Sequence, residues 1–300
     1  MKLASSIGNI INPVAGPPLD DISAHPDAAW GLRKLYSPYT GAACYVYDSA
    51  GNTSDVFFDS NNEVSLNSQT ISGLNLQEFS TGNGGNGTVS VGIWYDQTTG
   101  TTRNATQTTA SERPLLTVGG ALQGYQVTSP KASLRFIDDY FAVDSYRFPP
   151  SNDSCTILAV SATKGGTYGV ISDLDGYNDG VELIYDASEW SWKIKNTDLE
   201  GTLRQRGSKA QLAIAMYDTS LGANQQTLRI NAEVTGQNCT EDVHIINTDR
   251  FRIGARKLTD NQLNGWVAEG MIWDSAISEA DLTSLENNIF MHYKIPKGSA

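Results

Sequence analysis

The sequence has few cysteines, few basic residues and no long apolar run. Its three cysteines, Cys44, Cys155 and Cys239, are widely spaced and form no Cys-x-x-Cys pair, which argues against a disulfide framework and against structural zinc. Strand-like segments surround Cys44 and Cys155, so a role as small buried hydrophobes is favoured. The 21 basic residues against 33 acidic ones give a net charge of −12, so nucleic acid is not an expected partner.

Targeting signals are also missing from the sequence as printed. No apolar run approaches the roughly 20 residues of a membrane-spanning helix, so no membrane partner is expected. The opening residues, MKLASSIGNIINPVAGPP, lack the continuous apolar segment of a secretory signal, and we expect no export by that route. Residues 1–26 are proline-containing with little periodicity, which predicts an extended arm that a neighbour must order.

Short apolar runs dominate the rest of the chain. They recur from ACYVY to GWVAEGMIW, many alternate with a period of two, and turn residues separate them. This pattern, with 28 glycines and little helix, predicts one all-β domain over residues 27–300. The expected architecture is a two-sheet antiparallel sandwich of the jelly-roll kind.

Helices are predicted near both ends of this domain. At the N-terminal end, Asp27 can cap a short helix over AAWGLRKLY, in which Leu32 and Leu35 share a face. Near the C-terminus, Ser278 and Asp281 form a capping-box pattern. The helix that follows should lay its apolar face, which includes Leu282, Leu285, Ile289 and Tyr293, against a sheet.

Two stretches carry a resemblance to a known superfamily. The segment GWVAEGMIWDSAISEADLTSLENNIFMHY resembles the closing strand and helix of the concanavalin A-like (laminin-G-like) lectin/glucanase superfamily. Upstream, LYSPYTG and WYDQTTGTTRNATQ are similar to sequence motifs of a subgroup of this superfamily. The subgroup includes bacteriophage structural proteins and the catalytic domain of fungal B-type α-L-arabinofuranosidases. The resemblance implies a concanavalin A-like jelly roll and two different functional classes.

The first class is a phage virion component, and it is the main expectation from the sequence. The resemblance implies capsid decoration, a head-fibre or tail-associated role, weak glycan or host-surface binding, and a virion location. The arm over residues 1–26 would contact other virion proteins, and such surface jelly rolls commonly form homo-oligomers. Catalytic activity is not expected in this class, and no cofactor is implied.

The second class is a glycoside hydrolase of the arabinofuranosidase type, and a free carbohydrate-binding module is a third possibility. The segment VELIYDASEW resembles the one that carries the nucleophile of those enzymes, which implies that role for Glu182. Asp260 is the nearest candidate for the acid, although GARKLTDNQLNGW lacks the enzyme's glycine-rich loop and its vicinal cysteines are absent. Without such a role, Glu182 would lie on a solvated strand face and Asp260 in a turn.

Two further groups of residues could bind a ligand. The loop DLDGYNDG collects hard oxygen ligands suited to Ca²⁺, from Asp173, Asp175, Asn178 and Asp179, but the same residues are ordinary in a β-turn, which is favoured. Trp190 and Trp192 share one strand face and could stack on sugar rings if exposed. Burial against the opposite sheet is the favoured alternative for them.

The polar stretch GIWYDQTTGTTRNATQ could be a ligand site or a corner of the fold. Trp94 ends an apolar strand, whereas Asp96, Gln97 and Asn104 can bond the backbone of the loop that follows. A buried polar clasp made of these four residues is the favoured interpretation.

Overall fold

Strand pairing builds two antiparallel layers that face each other. The computed structural model describes residues 16–82, 84–100, 102–124, 131–143, 154–164, 168–174, 180–186, 189–194, 197–204, 209–239, 251–255 and 262–298. The strands are β1 Ala28–Gly31, β2 Cys44–Asp48, β3 Thr53–Val56, β4 Val89–Trp94, β5 Ala105–Thr106, β6 Leu115–Val118, β7 Ala121–Leu122, β8 Leu134–Asp139, β9 Phe141–Val143, β10 Cys155–Thr163, β11 Tyr168–Leu174, β12 Gly180–Asp186, β13 Glu189–Ile194, β14 Thr197–Arg204, β15 Gln211–Tyr217, β16 Gln226–Ile230, β17 Glu233–Gln237, β18 Phe251–Ile253 and β19 Leu263–Trp273. The α-helices are α1 Leu76–Thr81 and α2 Glu279–Tyr293.

The first layer follows the order β17-β16-β15-β10-β19, and the free edge of β19 pairs with β8 along its first half and with β1 along its second. The second layer follows the order β14-β13-β12-β11-β18-β9-β5-β4-β2-β3. Strand β6 joins the layers by pairing with both β4 and β8. The predicted two-sheet, all-β sandwich is therefore confirmed.

Side-chain alternation sets what each layer buries. In β12, Val181, Leu183 and Tyr185 belong to the core between the layers. In β10, Ile157 and Ala159 point into that core, whereas Leu158 and Val160 belong to a second cluster beneath α2. Every residue of β10 is buried for this reason, and its sequence CTILAVSAT is mostly apolar on both faces.

The predicted N-terminal helix over AAWGLRKLY is wrong. Residues 28–31 form β1, which pairs with β19 in the register Ala28↔Ile272 to Gly31↔Glu269. All four residues are buried, so a strand with both faces covered replaces a helix with one apolar face. The spacing of Ala28, Leu32 and Leu35 is compatible with both structures, and pairing with β19 selects the strand.

The predicted C-terminal helix is present as α2. The Ser278 hydroxyl accepts a hydrogen bond from the Asp281 backbone N–H at 3.1 Å, as an N-cap should. The Asp281 carboxylate, however, accepts from the N–H and the hydroxyl of Ser23, both at 2.9 Å. The predicted apolar face, from Leu282 to Tyr293, packs on the outer side of the first layer.

Residues 16–26, at the end of the predicted arm, also lie against α2 and the first layer. Leu19 and Ile22 belong to the cluster beneath α2, and the Trp273 indole donates to the Ala24 carbonyl at 2.7 Å. Residues 1–15 lie outside the described residues. Within the described ranges, neither helix has the length and apolar character needed to cross a membrane.

Candidate functional site

Glu182 occupies an unusual position for a charged side chain. It alternates along β12 with Val181 and Leu183, which point into the core, so its carboxylate points to the outer face of the second layer. Glu182 and Ile184 are nevertheless fully buried. The expectation of a solvated strand face is therefore wrong, because the outer face of the layer is covered at this point. A buried carboxylate is costly unless other groups compensate its charge, and such groups concentrate at functional sites.

A single row of directly opposed residues runs across the second layer through Glu182. From β3 to β13 its members are Asp55, Tyr45, Ile93, Thr106, Ala142, Arg252, Ser172, Glu182 and Lys193. Neighbouring strands are about 4.8 Å apart, so the backbones of Glu182 and Tyr45 are roughly 30 Å apart along the row. Opposed residues point to the same side of a sheet, so the row defines one continuous outer face.

The half of this row around Glu182 is polar and buried. Arg252, Ser172 and Glu182 occupy three neighbouring strands and are at most 3% exposed. The Ser172 hydroxyl donates to the Ala255 carbonyl at 2.7 Å, which fixes its position. Lys193 lies opposite Glu182 on the other side and is partly exposed. Arg252 and Lys193 thus lie on opposite sides of Glu182 in this row.

The other end of the row, from Asp55 to Thr106, is partly exposed and includes one aromatic residue, Tyr45. Tyr45 lies between Asp55 and Ile93 in register, and the Tyr95 hydroxyl donates to the Asp55 carboxylate at 2.8 Å. Tyr45 and Tyr47 meet edge to face with their ring centroids 5.4 Å apart. Polar groups beside partly exposed tyrosine rings can contact both the hydroxyls and the apolar faces of a sugar.

The remaining sequence candidates are distributed differently. Asp260, Asp175, Asn178 and Asp179 lie outside the described residues, and of Asp173 only the backbone in β11 is described. Among the described side chains, no group of three His, Cys, Asp or Glu is arranged to hold a metal ion. The Ca²⁺ expectation therefore stays a prediction from the sequence.

Trp190 and Trp192 do not form an exposed stacking platform. They are 1% and 0% exposed, and both belong to the core between the layers. The Trp190 indole donates to the Gln211 side chain at 3.0 Å, and its ring meets Tyr185 edge to face. Their shared face is the inner face of β13, so these two residues are unavailable to a glycan on the outer surface.

The polar stretch after Trp94 lies at a corner where β1 leaves the first layer. Trp94 is fully buried, and the Asp96 carboxylate accepts from the backbone N–H groups of Ala29 and Arg103, both at 3.0 Å. The Asn104 side chain accepts from the Asp96 N–H at 3.1 Å. Burial raises the pKa of Asp96, while these backbone donors and Thr98 act in the opposite direction.

Gln97 completes this corner. Its side-chain oxygen accepts from the Leu35 N–H at 2.8 Å, and its amide nitrogen donates to the carbonyls of Gly31 and Arg33 at 2.9 and 3.1 Å. Gln97 therefore bonds the backbone that follows β1, where no helix supplies partners. All the contacts at this corner join parts of the same chain.

Sequence reasoning missed a buried ion pair beneath α2. Arg33 donates to the Glu269 carboxylate, which also accepts from the Tyr293 hydroxyl at 2.7 Å. Burial lowers the pKa of Arg33, but the combined effect of Glu269, Tyr293 and Glu63 outweighs it and the net shift is upward. Asp274, at the end of the same segment, is exposed, and its backbone N–H donates to the Asp27 carboxylate at 2.8 Å. No local pattern could have found Arg33, because its partner is distant in the sequence.

Similarity to known proteins is found in the structure of the chain. No protein-family model matches the sequence. No curated protein matches it either. Solved structures do match: a GH54 α-L-arabinofuranosidase soaked with a cyclic sulfate inhibitor is similar with a TM-score of 0.60 and 13% identity. An arabinofuranosidase complexed with arabinofuranosyl-α-1,2-xylobiose is similar with a TM-score of 0.62 and 14% identity.

Both matches cover 89% of this chain and 62% of the arabinofuranosidase chain. The present chain thus spans less than two thirds of the length of those enzymes. At this level of identity the likeness concerns the fold, a β-sandwich shared over nearly the whole chain.

Proposed function

We propose that the protein is carbohydrate-active and hydrolyses α-L-arabinofuranosides, with Glu182 as the nucleophile. The observation that carries the proposal is the complete burial of Glu182 on the face of the second layer that points away from the core. A buried carboxylate between Ser172 and Lys193 suits a nucleophile, which must be ionised and shielded from water. The fold likeness to arabinofuranosidases supports the same class of substrate.

The reaction would follow the retaining route. The carboxylate of Glu182 would attack the anomeric carbon and form a glycosyl ester, and a second carboxyl group would protonate the departing oxygen. Water would then hydrolyse the ester, with the second group acting as the base. The resemblance in sequence implies Asp260 for that group. A retaining pair needs its carboxyl groups about 5 to 5.5 Å apart.

A free carbohydrate-binding module is less well supported. Such modules commonly bind sugars through exposed aromatic rings, whereas here Trp190 and Trp192 are buried and Tyr45 and Tyr47 are only partly exposed. A fully buried carboxylate is also costly, and a module that only binds a neutral glycan has no use for one. The virion role stays a prediction from the sequence resemblance alone. Particle proteomics would test it, with fixed stoichiometry in purified virions as the expected result.

The hydrolase proposal is tested with 4-nitrophenyl α-L-arabinofuranoside. We expect the wild type to release nitrophenol with retention of configuration, measured by NMR of the first-formed sugar. Glu182→Gln should lose more than about a thousandfold in kcat/KM. Glu233→Gln, on β17 at the edge of the other layer, is the matched control and should keep full activity.

A second variant separates a chemical role from a structural one. Glu182→Ala with added azide should recover activity and yield the β-glycosyl azide, because azide can attack from the side that the nucleophile vacates. Absence of hydrolysis by the folded wild type on this substrate and on arabinofuranosyl-substituted xylan would refute the hydrolase proposal. Glycan binding without turnover would then favour the binding module.

A further inference from the structure

A separate cavity lies on the opposite side of the sandwich, beside α2. It has a volume of about 220 Å³ and is lined by Gly16, Pro17, Arg33, Lys34, Asn61, Asn62, Glu63 and His292. A cavity of this volume has room for several water molecules. It is smaller than the sites that bind drug-sized molecules and suits a small metabolite. The proposed nucleophile Glu182 is not part of it.

His292 is the most informative residue of this cavity. It is 9% exposed, and its imidazole forms no hydrogen bond with any described residue. The nearest polar contact is from Nδ1 to a Glu63 carboxylate oxygen at 3.8 Å, too long for a hydrogen bond. Burial, Arg33 and Lys131 lower the pKa of His292 to about 2. The neutral ring therefore offers one donor and one acceptor to an occupant.

Among the described residues that line the cavity, two cations, Arg33 and Lys34, accompany one carboxylate, Glu63. Arg33 is paired with Glu269, and Lys131 is paired with Glu63. Lys34 is left over, because its ammonium group forms no ion pair or hydrogen bond with the described residues. Lys34 favours an anionic occupant over a cationic one.

The cavity also offers groups that bind hydroxyls. The side-chain amides of Asn61 and Asn62 can donate and accept, and Glu63 can accept. The wall is well fixed: the Lys34 N–H donates to the Asn62 carbonyl at 2.7 Å, and the Arg33 guanidinium donates to Asn288 at 2.8 Å. Asn288 in turn donates to the Gly16 carbonyl at 3.0 Å, so α2 and residue 16 are joined at the cavity.

From this combination we infer that the cavity binds a small hydroxylated carboxylate, such as a sugar acid. Lys34 pairs with the carboxylate, and His292, the asparagine amides and Glu63 bond the hydroxyls. A bare oxyanion leaves the acceptors of the cavity unused, and a neutral sugar leaves Lys34 unpaired. The inference does not depend on the proposed hydrolase activity.

The test is an NMR titration of the whole chain with glucuronate. The His292 signals, identified by their loss in His292→Gln, should shift saturably with glucuronate. Glucose and inorganic phosphate, at matched ionic strength, should cause shifts at least tenfold weaker in apparent affinity. Lys34→Gln should weaken glucuronate binding at least tenfold, whereas Lys34→Arg should retain it. Lys297→Gln, near the C-terminus and outside the cavity, is the matched control and should bind as the wild type does.

Three outcomes would overturn the inference. One is the absence of a saturable His292 shift with glucuronate, and another is equal binding of glucose or of phosphate. The third is unchanged affinity in a folded Lys34→Gln protein. Thermal stabilisation by glucuronate gives an independent measure, since a ligand that binds only the folded state raises its stability in proportion to the logarithm of its concentration.

Discussion

Replacement of Gln97 tests whether the corner after β1 is held by a single side chain. Gln97 is fully buried, and its amide bonds the Leu35 N–H and the carbonyls of Gly31 and Arg33. Methionine has a similar length and shape but bonds none of the three. Gln97→Met therefore leaves three buried backbone groups without these partners, and each such group costs about 1 to 3 kcal/mol.

Three such groups together would cost about 3 to 9 kcal/mol. Carbonyl groups tolerate the loss of one partner better than N–H groups do, so we expect Gln97→Met to lower the free energy of unfolding by about 3 to 5 kcal/mol. For a chain of this length about 1 kcal/mol corresponds to roughly 1.6 °C in Tm, so Tm should fall by about 5 to 8 °C. Urea unfolding followed by tryptophan fluorescence measures the first quantity, and calorimetry measures the second.

Gln123→Met is the matched control, because that amide is partly exposed and makes one bond, to the Ala121 carbonyl at 3.3 Å. It should change stability by less than about 0.5 kcal/mol. A loss below about 1 kcal/mol in Gln97→Met would refute the reasoning, since it would mean that the backbone finds other partners. Gln97→Glu keeps the acceptor for Leu35 but places a charge against two carbonyls, so it should be more stable at pH 4 than at pH 7 relative to the wild type.

Two further perturbations probe other buried charges. Glu269→Gln should cost about 3 to 5 kcal/mol in urea unfolding, because Arg33 stays buried without its counter-charge. The partly exposed Glu233→Gln should have little effect, and similar values for the two would contradict a buried ion pair. Burial, with Asp138 and Glu112 nearby, raises the pKa of Asp139 from 3.8 to about 7. Between about pH 4 and 7 the folded state holds a proton on Asp139 that the unfolded chain has lost, so stability should fall as the pH rises through this window. Asp139→Asn should flatten this dependence of stability on pH. An unchanged dependence in the variant would exclude Asp139 as its source.

The strands and the C-terminal helix were accessible from the sequence because their signals are local. A period of two, as in VELIY, follows from one strand having one face in the core, and it needs no knowledge of the partner strand. The N-cap Ser278 and the apolar face of α2 are equally local. The same reasoning failed at Ala28–Gly31, where an apolar spacing fits helix and strand and only pairing with β19 decides.

The candidate site depended on tertiary structure to a greater degree. The sequence singled out Glu182 by resemblance, but its burial, and its place in one row with Tyr45 and Arg252, come from strands far apart in the chain. The Arg33–Glu269 pair and the cavity at His292 likewise join residues that are distant in sequence. Local sequence thus determined the identity of most elements through side-chain periodicity. Closure of the two layers decided which polar groups are removed from water and which meet, because burial and charge pairing depend on distances that no local pattern encodes.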